Sequence, residues 1–564
     1  MYFPDPVVAL LLSVLTVVFL ITVINGRQND KYSNFPPGPR PLPLIGNLHI
    51  FNLRRPYLTL LELYKEYGPI YSVQMGRKKY VVLAGYKTVK DALINHAEEF
   101  GERERIPIFQ KADEGHGIIL SHGENWKVMR RFTITTLRDF GMGKSTVEDK
   151  IIEECCYLNQ HFESYKGQPF DNMMIMNASV ANIIVAIVFG QRFDHHDPAF
   201  LRLMSLINEG LRLLAKPIVL LYNAYPVIGF LPGAHKRVLK NTEELDAFIT
   251  GTFAKYLEQL DVNDQRSLIE AFFVKQKEET SNPDTYFHDK NLKCVVRNLF
   301  VAGMETTSTS LRWGMLLMMK YPDVQRKVQE EIEKVLGSAQ ARYEHRTSMP
   351  YTNAVIHEIQ RFADILPMSL PHETATDATF NGYFIPKGTA VTVLLASVLQ
   401  DEAHFEKPKE FYPEHFLDSE GKFVKKEAFL PFSAGPTWER HLTMGIMGVK
   451  PCRRLTWSRS VEAPADRLLP STGQAGICNP FAAKNMPLAA GPPGEVKMRR
   501  GTPSGSQLHT LCESSEDWST LQRPCGERGA GGPGAQGQRV IQCSPVALFG
   551  HCTCRGGLMV IFPT

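Results

Sequence analysis

Between Leu292 and Met319 the chain is apolar on almost every side of a helical wheel, and this one segment limits what the rest can be. A helix that is apolar all round is stable only where neighbours cover it on all sides. Other elements must therefore wrap it in a large core. With 564 residues, 43% hydrophobic and 22% charged, the chain can supply one. Inside the segment stands Ala302-Gly303-Met304-Glu305-Thr306-Thr307. Small residues, an acid and hydroxyls in mid-helix need an explanation, because a buried polar group without a partner is costly. Gly303 removes bulk and lets another object approach the backbone. The Thr306 hydroxyl is predicted to bond back to the preceding turn and bend the helix. A purely structural kink is the simpler reading of these residues taken alone.

The surroundings read as mainly helical, with small β-sheets. Apolar residues recur at three- and four-residue steps over Tyr57–Tyr67, Tyr86–Asn95, Thr146–Ser164, Pro198–Leu213, Glu243–Leu260 and Asp323–Leu336. Short β-like runs stand at Ile70–Met75, Lys79–Leu83 and Ala390–Leu394. The net charge of +4 is small for this length and gives no sign of a nucleic-acid partner. Only Cys155, Cys156 and Cys294 precede Gly435, too few for a disulfide framework, so the main body reads as cytosol-facing.

At the N-terminus, Val7–Ile24 is an almost unbroken apolar run without charge, near the lower limit for spanning a bilayer. Arg27 and Lys31 follow it, which places the C-terminal side in the cytosol. A cleaved signal peptide is the rival reading, but no basic segment precedes the run and no small-residue cleavage pattern follows it. The Phe35-Pro36-Pro37-Gly38-Pro39-Arg40-Pro41-Leu42-Pro43 stretch then forms a stiff spacer. The expected division is an anchor over 1–26, a basic and Pro-rich hinge over 27–49, a catalytic domain over 50–435 and a tail over 436–564.

Three further motifs carry chemistry. Glu358 and Arg361 share one helical face, an ordinary ion-pair spacing. Phe411-Tyr412-Pro413-Glu414-His415-Phe416 sets a second acid in a Pro-aromatic loop. Trp126 and Arg130 are four apart on one face, where a guanidinium and an indole N–H suit an anionic ligand with an aromatic body. A solvated basic helix is the plainer account of that segment by itself.

Taken in order, these segments resemble a cytochrome P-450, specifically a microsomal member of vertebrate family 2, over about three quarters of the chain. The resemblance implies the P-450 fold, a haem cofactor, and insertion of one atom of O2 into a lipophilic substrate such as a fatty acid, steroid or xenobiotic. It also implies electrons from NADPH through a flavoprotein reductase, cytochrome b5 as a further partner, and a place on the endoplasmic reticulum membrane. Trp126, Arg130 and His372 would contact the haem propionates, with Phe432 and Gly435 in the haem loop. Gly303, Glu305 and Thr306 match the oxygen-activating stretch, where protons must reach a dry pocket. Glu358 and Arg361 match an ion-pair lock, with Glu414 and His415 beside it. The substrate pocket would be lined from Ile106–Leu120, Leu203–Leu213, Phe300–Glu305 and Ile365–Leu370, with Phe109, Ile118, Ile119, Phe300, Ala302, Leu366 and Leu370 as walls. Lys127 and Arg131 would face an acidic electron donor.

The resemblance breaks inside its most specific motif. The family loop reads Phe-x-x-Gly-x-Arg-x-Cys-x-Gly. Here Phe432-Ser433-Ala434-Gly435 is followed by Thr437 in the arginine slot, Glu439 in the cysteine slot and His441 in the glycine slot. The cysteine thiolate is the axial ligand in such proteins, and a carboxylate is a harder, weaker donor. Cys452, flanked by Lys450, Arg453 and Arg454, is the nearest substitute, but it stands thirteen residues late and lacks the glycine. The tail is rich in Gly, Pro, Ser and Arg, a composition that predicts disorder and leaves the fold incomplete at its C-terminal end. The alternative to an active enzyme is a defective isoform or mis-assembled gene product, bound to the membrane without catalysing.

Overall fold

The computed structural model describes Thr16 and residues 34–141, 145–258, 261–262 and 264–434. The Val7–Ile24 run (Thr16 apart), Gly435, Thr437, Glu439, His441, Cys452 and the rest of the tail lie outside the described residues. No helix among the described residues is long and apolar enough to cross a membrane.

The axis of the domain is the helix Asp289–Lys320, 32 residues and about 48 Å long. It starts where the His288 imidazole accepts the Asn291 N–H at 3.3 Å, closing its first turn. In chain order we label the helices α1 (Pro56–Tyr67), α2 (Tyr86–Lys90), α3 (Pro107–Asp113), α4 (Gly123–Asp139), α5 (Ser145–Ser164), α6 (Met173–Val188), α7 (Pro198–Leu214), α8 (Pro217–Ala224), α9 (Ala234–Glu258), α10 (Leu268–Glu278), α11 (Asp289–Lys320), α12 (Pro322–Leu336) and α13 (Pro350–Ala363). The strands are β1 (Ile70–Met75), β2 (Lys78–Ala84), β3 (Glu102–Arg103), β4 (His372–Glu373), β5 (Ala378–Phe380), β6 (Tyr383–Ile385) and β7 (Ala390–Leu394).

The wrapping that α11 demands comes chiefly from α6, in which Met176 through Val188 are all buried. Phe189 at its end meets Phe300 with ring centroids 6.0 Å apart. Further cover comes from α9, α12 and α13, whose apolar faces join the same core. A five-stranded sheet in the order β1-β2-β7-β4-β3 lies against a second core, and β5–β6 forms a small hairpin. Its register matters for the site, because β3–β4 pairing sets Arg103 directly across from His372.

Most expected elements are present; the helix expected over Tyr86–Asn95 is α-helical only to Lys90, and α3, α8, α10 and β3–β6 are additional. The helix expected from Glu243 already begins at Ala234, and α6 stands where no element had been expected.

Candidate active site

One stripe of α11 opens on a cavity of about 890 Å³: Arg297, Asn298, Val301, Ala302, Glu305 and Thr306. Steps of one, three and four residues keep these on one face. The Thr306 hydroxyl donates to the Ala302 carbonyl at 2.7 Å, the back-bond expected from sequence. The Glu305 carboxylate accepts from the Thr309 hydroxyl at 3.2 Å. Gly303 is buried. Phe109, Ile119, Leu366, Leu370 and Phe432 complete the wall beside Thr306. Two residues expected there are not part of it. Ile118 and Phe300 are 3% and 0% exposed and belong to the core, Phe300 because its ring packs on Phe189.

The roof of the cavity is tied to α11 by asparagines. Asn298 Oδ1 accepts the N–H groups of Ile118 and Ile119 at 2.9 and 3.0 Å, and Asn291 Oδ1 accepts that of Gly117 at 2.9 Å. Gly117 has φ +86°, and a Cβ there would stand 2.5 Å from Asn298 Oδ1, so only glycine permits this approach.

Two pairs of residues supply groups suited to anions. On α4 the Arg130 guanidinium stands 5.5 Å from the centre of the Trp126 ring. The Trp126 Nε1–H is buried and meets no acceptor among the described residues. Where β3 pairs with β4, Arg103 Nη1 donates to His372 Nε2 at 2.8 Å. His372 Nδ1 is 2.9 Å from the Phe100 carbonyl. An arginine can only donate and a carbonyl can only accept, so the His372 proton is on Nδ1. Burial, then the Arg103 charge, push the His372 pKa well below its ordinary value, and the ring is neutral. With both nitrogens engaged, His372 orients Arg103 and offers no N–H outward. Sequence reading missed Arg103, whose signal lies only in its register opposite His372.

Glu358 and Arg361 form a lock. Arg361 Nε and Nη2 donate to the two Glu358 oxygens, each at 2.7 Å. The remaining donors reach the carbonyls of Leu399, Pro408 and Glu410 at 2.8–2.9 Å. His415 Nε2 accepts the Lys407 N–H at 3.0 Å, so its Nδ1–H is the donor to Glu358 at 3.1 Å. Glu414, expected beside them, is turned to the surface and pairs with Lys327 at 3.4 Å. Adjacent residues on a 3-10 turn point about 120° apart, so only one of the two can enter the lock.

Comparisons with known proteins show the family. A family model described as cytochrome P450 matches residues 36–438. The chain belongs to the cytochrome P450 family. It is 48% identical to cytochrome P450 2K1 of Oncorhynchus mykiss over 74% of this chain and 84% of that one. Cytochrome P450 2G1 of Oryctolagus cuniculus is 43% identical over 74% of this chain and 85% of its own length. Cytochrome P450 2B19 of Mus musculus is 44% identical over 76% and 87%. The family is one of haem-dependent monooxygenases, so haem is the implied cofactor.

The described part of this P450 fits haem on two sides. A buried indole N–H without an acceptor, beside a guanidinium, is what a propionate requires. The Ala302–Thr306 stripe and its neighbours Phe109, Ile119, Leu366, Leu370 and Phe432 provide a largely apolar wall. Among the described residues Cys155, Cys156 and Cys294 are free thiols, none lines the cavity, and burial pushes the Cys294 thiol up to about 12.

The stretch that carries Leu366 and Leu370 leaves the lock through Asp364, whose backbone is left-handed at φ 41°. Burial pushes its carboxyl from 3.8 up to about 7, against the opposing pull of Arg361. The folded state therefore keeps a proton that the unfolded chain releases, and stability falls as pH rises from about 4 towards 7. Asp364→Asn keeps the left-handed conformation and removes the titration. It is expected to raise stability at pH 8 by on the order of 2 kcal/mol and to flatten the pH dependence of thermal melting. Parallel melting curves for the two proteins across that range would contradict the assignment.

Proposed function

We propose that this chain holds haem beside a lipophilic substrate and inserts one oxygen atom of O2 into it. Electrons would come from NADPH through a flavoprotein reductase, with cytochrome b5 as a further donor, at the endoplasmic reticulum membrane. Fatty acids, steroids and xenobiotics are the substrate classes that suit the cavity. The observation that carries the reading is one cavity of about 890 Å³ whose apolar wall converges on Ala302, Glu305 and Thr306.

Trp126, Arg130 and Arg103 would hold the propionates, with His372 fixing the Arg103 head. Haem bound there supplies the activation of O2. The Thr306 hydroxyl donates to the Ala302 carbonyl, so its oxygen lone pairs remain to accept from, and so order, a water over the cavity floor. Glu305, one residue earlier on the same stripe, is placed to pass protons inward, and the apolar walls keep bulk water out. Lys127 and Arg131 are exposed on α4 and would face the electron donor.

The test is turnover with NADPH, reductase and isotopically labelled O2. One labelled atom is expected in the product. Thr306→Ala should lower product per NADPH by roughly tenfold, with peroxide released instead. Unlabelled product, or unchanged coupling in the variant, would refute the reading.

A second reading rests on one observation, the glutamate at position 439 in the cysteine slot, directly after the family match ends at 438. In it the chain binds haem through the propionate cluster but lacks a thiolate, and oxygen insertion fails.

A further inference from the structure

About one and a half turns before the oxygen-activating stretch, one cation is shared by two anions. Arg297 donates through Nη2 to Asp113 at the end of α3 and through Nη1 to Asp246 on α9. Two carboxylates on one guanidinium leave a formal charge of −1, and Asp113 and Arg297 are only 8% and 6% exposed. Asp113 also lines the cavity, and among the described residues its second oxygen accepts no hydrogen bond. Burial raises its carboxyl pKa in spite of Arg297, a sign that the anion lacks compensation. In a low-dielectric wall an under-neutralised carboxylate attracts a cation more strongly than the same carboxylate does in water.

We propose that Asp113 is a specificity-determining residue that anchors the protonated nitrogen of a lipophilic amine inside the cavity. This rests on the reading of the cavity as the substrate chamber. Nine residues separate Arg297 from Thr306, about 13 Å along the helix. An amine held at Asp113 therefore extends its apolar body towards Thr306. The other charged groups on the cavity are Arg54, Arg55, Arg212, Lys216 and Glu305. Arg54 is exposed, where solvent and salt screen it; Arg55 and Lys216 stand at the entries of α1 and α8, and the Arg212 guanidinium, on the last turn of α7, is turned to Met173 Sδ at 3.5 Å, so none of them is on α3 or α11. Glu305 adds a second negative charge on the path between Asp113 and Thr306.

The test compares 4-phenylbutylamine with 4-phenylbutanol, by equilibrium dialysis against the full chain in phosphatidylcholine nanodiscs. The amine is expected to bind about tenfold tighter than the alcohol, as suits a charge-assisted hydrogen bond. Asp113→Asn should erase that preference and leave the alcohol's affinity unchanged, whereas Asp113→Glu should keep the preference. Ligation of the amine to haem iron would be the same in all three proteins, so it cannot imitate this pattern. Equal affinity in the unaltered chain, or a preference that survives Asp113→Asn, overturns the anchor. Should Asp113→Asn fail to fold, Asp246→Asn decides: with Arg297 left to neutralise Asp113 alone the preference should shrink, and an unchanged preference overturns the anchor. Failure of both probes to bind overturns the cavity reading beneath it.

Discussion

Arg361→Ala is expected to abolish the folded domain rather than weaken it. Arg361 and Glu358 are 1% and 0% exposed, so the substitution strands a carboxylate in the interior. Breaking a buried pair in this way costs about 3–5 kcal/mol. The carbonyls of Leu399, Pro408 and Glu410 also lose their donor, at about 1–3 kcal/mol for each that stays dry. The sum is comparable with the whole stability of a typical domain, about 5–15 kcal/mol. Arg361→Lys should fare little better, since an ammonium cannot span two carboxylate oxygens and three carbonyls at once. Soluble yield and a cooperative thermal melt measure the outcome. A melt within about 1 kcal/mol of the unaltered protein would show that the lock is dispensable.

Phe300→Ala is expected to cost about 3–5 kcal/mol, as truncation of a fully buried aromatic does. Affinity for a lipophilic ligand, measured per folded molecule, should stay within about twofold, because the ring packs on Phe189 away from the cavity. Leu366→Ala should behave in the opposite way. It lies half-buried at the cavity wall, so ligand affinity changes while less stability is lost. Denaturant melts and equilibrium binding on both variants separate the two roles. A large loss of ligand affinity in Phe300→Ala would return that residue to the substrate wall.

These contrasts show where sequence was informative. β1 lies at Ile70–Met75 as the alternation of residues required, and α11 follows from an apolar run that no other element could accommodate. Motifs whose partners lie on the same helix, such as Glu358 with Arg361, were legible because helical spacing alone brings them together. α6 was missed for the reason that makes it central. It is covered on all sides, so its apolar residues carry no 3.6-residue period. Phe300 could have been excluded by arithmetic, since it stands about 200° around the helix from Ala302. Arg103 and Asp113 could not have been assigned. Both sit among other charged residues, and only strand register and the approach of α3 to α11 give them buried partners.

The most direct test of this account is the spectrum of the full chain, reduced and treated with carbon monoxide. The account predicts a haem Soret band, because the proposed propionate contacts and the apolar cavity stand in the described domain, and Trp126→Phe with Arg130→Ala should diminish it. The strong red shift of a thiolate ligand would favour monooxygenation, and an unshifted band would favour the reading built on Glu439. A folded protein that shows no haem band at all would contradict the account.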